Sequence, residues 1–137
     1  MLVFRVEHKD TGIGPYHSRF NTNFSSESQR QLENILNHFF FKRHHVDPSD
    51  DMGDGTSFNL YGWKFGFKDE KSLTKWFDHH RGIKGLQNLG FVVRVYEVPN
   101  QKVKQMKSQI AYHPSAAKLD SEHALYSFCK KHSEFFA

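Results

Sequence analysis

Apolar positions along this chain fall alternately into period-two runs and helix-spaced stripes. Leu2, Phe4 and Val6 alternate with Val3, Arg5 and Glu7, which predicts a strand over 2–7 with one apolar face. His8–Tyr16, reading HKDTGIGPY, is a turn-rich loop in which Gly12 and Gly14 permit positive φ and Pro15 stiffens the exit. Over residues 25–41 the stripe Leu32, Ile35, Leu36, Phe39 and Phe40 predicts a helix. Ser26 with Gln29 reads as its capping box, and Lys42 and Arg43 suit the negative end of its dipole. Residues 44–57, HHVDPSDDMGDGTS, form the most polar segment and read as a loop.

The clearest pattern lies between Tyr61 and Tyr112. Phe58–Phe67 predicts a strand, bent at Gly62 or Gly66. Asp69 is placed to cap a helix carrying Leu73, Trp76 and Phe77. Residues 83–89 give a shorter helical turn, stopped by Gly90. Phe91–Val98 is the strongest strand: Phe91, Val93 and Val95 point one way, Val92, Arg94, Tyr96 and Val98 the other. Pro99 ends it. Residues 100–108 are polar and basic, 109–112 predict a short strand, and 121–132 a last helix within a C-terminal segment 113–137. These elements predict one α+β domain over residues 1–137, with a twisted mixed or antiparallel sheet of about 4–6 strands and about 3–4 helices.

Composition changes this picture in three ways. Aromatics make up 15% of the chain, with 14 Phe, so the core is expected to be built from rings and disorder is disfavoured. One cysteine excludes an internal disulfide and a cysteine-based zinc site, and Cys129, spaced with Leu125 and Phe128, reads as a small core residue. No run approaches the roughly 18 apolar residues of a membrane span, and no signal-peptide pattern opens the chain, so a cytoplasmic protein is expected.

Charge is uneven. Residues 1–58 hold six Lys/Arg against eight Asp/Glu, and residues 59–137 hold thirteen against seven. A basic C-terminal half suits phosphates or an acidic protein surface, against the plainer reading of a solvated basic face.

Motif chemistry is sparse. His44–His45 and His79–His80 are adjacent pairs, whose ring directions differ by about 100° on a helix, so one pair cannot chelate from one face. No HExxH spacing occurs, and no metal is expected. The DPSDDMGDG segment puts Met52 and Tyr61 where a calcium loop needs an oxygen ligand and its bidentate Glu. Gly12-Ile13-Gly14 lacks the third glycine of a dinucleotide fingerprint. Arg5 and Glu7, just before it, are ordinary if their face meets solvent and candidates if it lines a cleft. No cofactor is expected. Trp63, Phe65 and Phe67 alternate with Lys64, Gly66 and Lys68, an interleaving that can stack bases and neutralise phosphates or equally mark a core strand with solvated lysines.

The motifs VFRVEH, GIGPY, FGFKDEKSLTKWF, LGFVVRVYEVP and SQIAY, scattered over residues 2–112, resemble a family of small uncharacterised proteins of tailed phages and prophages. The resemblance implies a phage setting, with host-directed accessory or anti-defence roles and the host cytoplasm as location. A second set of features resembles the ADP-ribosyltransferase fold: Arg5 on the opening strand, Phe91–Pro99 as the apolar strand, and Gln109 where a catalytic Glu belongs. Gln cannot stabilise developing positive charge on the nicotinamide ribose as that carboxylate does.

Three readings follow. The first is a non-enzymatic phage accessory protein that binds a host protein or protein–nucleic-acid complex and inhibits a host or defence component, through Trp63, Lys64, Phe65, Lys68, Lys102, Lys104 and Lys107. The second is an ADP-ribosyltransferase-like, degenerate nicotinamide-nucleotide binder using Arg5, Gly14, Tyr16 and Gln109. The third is sequence-independent nucleic-acid binding through the lysines. None involves a membrane.

Overall fold

The computed structural model describes residues 1–18, 24–40 and 62–132. Among them the strands pair, all antiparallel, into two three-stranded sheets. The larger joins β1 (Leu2–His8), β3 (Phe91–Glu97) and β6 (Lys118–Ala124) in the order β1-β3-β6. The smaller joins β2 (Lys64–Gly66), β4 (Val103–Gln105) and β5 (Ile110–Tyr112) in the order β2-β5-β4. The helices are α1 (Pro15–Ser18), α2 (Ser26–Ile35), α3 (Glu70–Trp76), α4 (His80–Asn88) and α5 (Leu125–His132). The fold is α+β as predicted, with its strands divided between two sheets rather than held in one.

The sheets meet at one bridge. Phe4 and Phe67 exchange two backbone hydrogen bonds of 2.8 and 2.7 Å just beyond the end of β2. Gly66 makes this approach possible: a Cβ there would lie 2.7 Å from both the Phe4 carbonyl oxygen and Val3 Cγ1. The predicted bend therefore corresponds to close backbone contact.

Phe4, Val6, Phe91, Val93 and Val95 turn one face of the larger sheet toward the helices. Leu32, Leu36 and Phe40 from α2 and its π-type continuation Leu36–Phe40 pack there, with Leu73, Ile83, Leu86 and Phe128. Cys129 is buried in the same core, and burial pushes its thiol up to about 12. A second, smaller cluster of Val3, Val98, Ile110 and Tyr112 lies between the two sheets.

Local chemistry sets several boundaries. Asp69 caps α3 as predicted, its carboxylate accepting from the Ser72 amide at 2.7 Å. Ser25, not Ser26, caps α2, accepting from the Ser28 amide. Pro15 opens the short α1 instead of merely closing a loop. α4 starts at His80, earlier than the predicted Ile83, because His79 Nδ1 accepts from the Gly82 amide at 3.2 Å. Gly90 follows α4 with φ +99, the left-handed conformation its predicted stop requires.

One expectation fails. Residues 118–124 form strand β6, so the last helix begins at Leu125 rather than at Ser121. Pairing to the open edge of β3, through a register shift opposite Val95 and Tyr96, overrides the weak local preference of KLDSEHA. Residues 103–105, within the segment described only as polar and basic, pair with β5 as β4. The 44–57 loop, His44, His45, the DPSDDMGDG segment and Phe58–Tyr61 lie outside the described residues.

Candidate functional site

The strand holding Arg5 and Glu7 has the expected apolar face, and its polar face is buried as well. Register explains the consequence. Arg5 sits directly opposite Arg94 across the β1–β3 pair, a like-charge juxtaposition that is unfavourable by itself. Glu7, one position along the same face, resolves it. Its Oε1 accepts from Arg5 Nε at 2.9 Å, and its Oε2 accepts from Arg94 Nη1 at 2.8 Å and from the Tyr96 hydroxyl at 2.8 Å. The Glu7 side chain is 1% exposed, so this carboxylate is a sealed hub with three charge-assisted or phenolic donors.

The guanidinium groups are bonded further. Arg5 Nη1 donates to the Phe65 carbonyl at 2.7 Å and Nη2 to the Gly12 carbonyl at 3.4 Å. Arg94 Nε donates to Glu122 Oε1 at 2.8 Å and Nη2 to the Lys9 carbonyl at 2.7 Å. These bonds link β1, β3, β6, β2 and the 9–14 loop through one cluster. Its ion pairs raise the Arg94 pKa despite burial, and burial together with the bond to Glu7 pushes the Tyr96 phenol up to about 12.

Lys64 enters the same cluster from the smaller sheet. Its Nζ donates to the Gly12 carbonyl at 3.2 Å. Burial and then the Arg5 charge lower its pKa, partly offset by Glu7. Pairing puts Lys64, Tyr112 and Val103 in one row across the smaller sheet, on the face toward the larger one. Phe65, Ala111 and Lys104 form the adjacent row, on the opposite face. Trp63 lies edge-on to His113, ring centroids 5.6 Å apart, and the His113 amide donates to the Lys102 carbonyl.

The residues singled out from sequence thus separate into two regions. Trp63, Phe65, Lys102 and Lys104 gather about the smaller sheet, whereas Lys64 joins the inter-sheet cluster. Lys68 is exposed just after Phe67, and Lys107 is exposed in the turn before Gln109, whose carbonyl accepts from the Met106 amide. Of the nucleotide-binding candidates, Arg5 and Gly14 meet: a Cβ at Gly14 would lie 3.3 Å from Arg5 Nη2. Tyr16 lies elsewhere, its hydroxyl accepting from Trp76 Nε1 at 3.0 Å and its ring stacked on Phe77. Gln109 is buried just before β5.

Sequence reasoning missed Arg94, Tyr96 and Glu122 as members of the Glu7 cluster. The available signal was an arginine at an alternating position inside an otherwise apolar strand. His79, considered for metal, instead caps α4 and stacks on Phe39 at 4.2 Å, and His80 packs edge-on against Tyr126. Among the described residues no group of three or more His, Cys, Asp or Glu is arranged to hold a metal ion.

Residues 1–126 match the family described as Bacteriophage T4 Y00F protein. The chain belongs to that phage protein family. The inter-sheet cluster and the smaller sheet both lie inside the matched span, which reaches the first turn of α5. No curated protein and no solved structure gives a significant match. No helix among the described residues is long and apolar enough to cross a membrane.

Proposed function

We propose that this phage accessory protein works without catalysis, by binding a host protein or protein–nucleic-acid complex and inhibiting a host or defence component. The contact surface is the face of the smaller sheet bearing Phe65 and Lys104, with Trp63 and Lys102 beside it and Lys68 and Lys107 exposed nearby. One observation carries the reading. The ionisable groups best suited to chemistry, Arg5, Glu7 and Arg94, are tied to one another and to backbone carbonyls. Phe65 and Lys104 of the smaller sheet sit instead on its face away from that cluster. Aromatic anchors such as Trp63 are enriched among the residues that dominate interface energetics, and surrounding lysines steer the approach of an acidic partner.

Affinity capture from bacterial lysate, with and without nuclease, tests this. The expected result is one stoichiometric protein partner that survives nuclease and is lost when Trp63→Ala is combined with Lys102→Glu, Lys104→Glu and Lys107→Glu. Capture unchanged by those substitutions would remove the smaller sheet from the interface. Retention of no protein would end the reading.

A further inference from the structure

A second surface stands apart from the smaller sheet. Helices α4 and α5 pack side by side, and neither carries an Asp or Glu. Between them they present Arg81, Lys84, Lys130 and Lys131, all exposed. His80 and Lys84 are four residues apart on α4, and Tyr126 and Lys130 four apart on α5, so each pair shares a helix face. Tyr126 joins the two faces. Its ring lies 5.2 Å from that of His80, its hydroxyl 3.5 Å from His80 Nδ1, and Lys84 Nζ stands 5.1 Å over its ring. The result is one seam of cations around a half-buried tyrosine.

Glu122, at the end of β6 before α5, spends its carboxylate on Arg94. α3, which also packs on α5, carries Lys71 and Lys75, one turn apart and exposed, beside Glu70 in its first turn, and Thr74 Oγ1 ties α3 to the His132 carbonyl at 3.4 Å. Cations fixed on rigid packed helices without interleaved acids complement a ligand that presents many evenly spaced anions. A nucleic-acid backbone does so at every phosphate, and binding gains from released counterions.

We propose that the α4–α5 seam binds the phosphate backbone of a nucleic acid, without regard to base sequence, with Arg81, Lys84 and Lys130 as phosphate contacts. This goes beyond the proposed function, since it uses a different surface and does not require the smaller sheet.

The test uses the full chain, a short fluorescein-labelled DNA duplex of arbitrary sequence, and fluorescence anisotropy over a salt series. Affinity is expected to fall linearly on a log–log plot, and each lost phosphate contact to flatten the slope by about 0.9. Lys84→Glu with Lys130→Glu should weaken binding by about tenfold or more at low salt. Charge reversal of Lys102, Lys104 and Lys107 should leave it within about twofold, which separates this proposal from the previous one. Lys84→Gln with Lys130→Gln serves as a milder pair, and melting curves verify that each variant is folded. The proposal is overturned by salt-independent binding, by absence of binding, or by equal loss from the two sets of reversals. Displacement of the duplex by poly-glutamate at equal charge would also overturn it, in favour of an acidic protein surface.

Discussion

The two faces of the β1–β3 ladder, one buried throughout and the other sealed along β1 and half-buried along β3, are built from opposite chemistry. Toward the helices lie Phe4, Val6, Phe91, Val93 and Val95, which need only exclude water. Toward the smaller sheet lie Arg5, Glu7, Arg94 and Tyr96, where each polar group needs a partner. The apolar face tolerates any neighbour of the right volume. On the polar face, slipping β1 by one residue would separate Glu7 from Arg94 and Tyr96, its partners on β3. The apolar face therefore supplies most of the favourable burial, while the polar face fixes which residues stand opposite each other.

That division predicts unequal responses to truncation. Glu7→Ala should have the largest effect, because it strands two guanidinium groups and a phenol. Removing one partner of a buried ion pair costs about 3–5 kcal/mol. Urea unfolding would show this as a large drop in midpoint, and a drop below about 1 kcal/mol would mean that water replaces the carboxylate with little penalty.

Tyr96→Phe removes only one donor from the hub and should cost about 1.5–3 kcal/mol, the range for a hydrogen bond to a charged group. A double-mutant cycle sharpens this: in the Glu7→Ala background the same substitution should cost much less, since the hydroxyl has already lost its acceptor. Equal costs in both backgrounds would show that Tyr96 contributes by packing on Tyr112, whose ring lies 6.1 Å away, rather than through Glu7.

On the opposite face, Val93→Ala removes about two methylene equivalents and should cost about 2 kcal/mol. Its effect should not couple to Glu7→Ala by more than about 0.5 kcal/mol, because the side chains point to opposite faces and share no partner. Strong coupling would show that the two faces act as one unit.

These contrasts also indicate what was legible in the chain. The apolar face was readable because Phe91, Val93 and Val95 alternate within seven residues, and α3 because Asp69 stands next to a helical stripe. Those signals are local. The polar hub depends on Arg5 and Arg94 meeting across 89 positions of sequence, a register that alternation alone does not specify. β6 was hidden for a related reason. KLDSEHA shows no apolar alternation, because it is an edge strand exposed along almost its whole length, and β3 imposes its conformation. The start of α4 was hidden because histidine is an uncommon cap. Of the candidate site residues, composition identified the types but not the company: Lys64 and Phe65 are neighbours in sequence and lie on opposite faces of the smaller sheet.

The smallest effect separates local from long-range control. Asp69→Ala removes the α3 cap and should cost about 1 kcal/mol near neutral pH, without coupling to the hub. Burial pushes the Asp69 carboxyl up, but bonds from the Ser72 amide and hydroxyl and the charges of Lys68 and Lys71 together hold it below its ordinary value of 3.8. A carboxyl lowered by folding stabilises the protein above its unfolded pKa, and that contribution is lost as pH falls through the folded one. Asp69→Asn keeps a neutral cap, so its stability deficit relative to the parent should be largest at neutral pH and vanish in acid. Urea melts of the pair at neutral pH and below the folded pKa test the sign. A deficit that grows on acidification would mean that the cap acts through packing at the start of α3 and not through its charge.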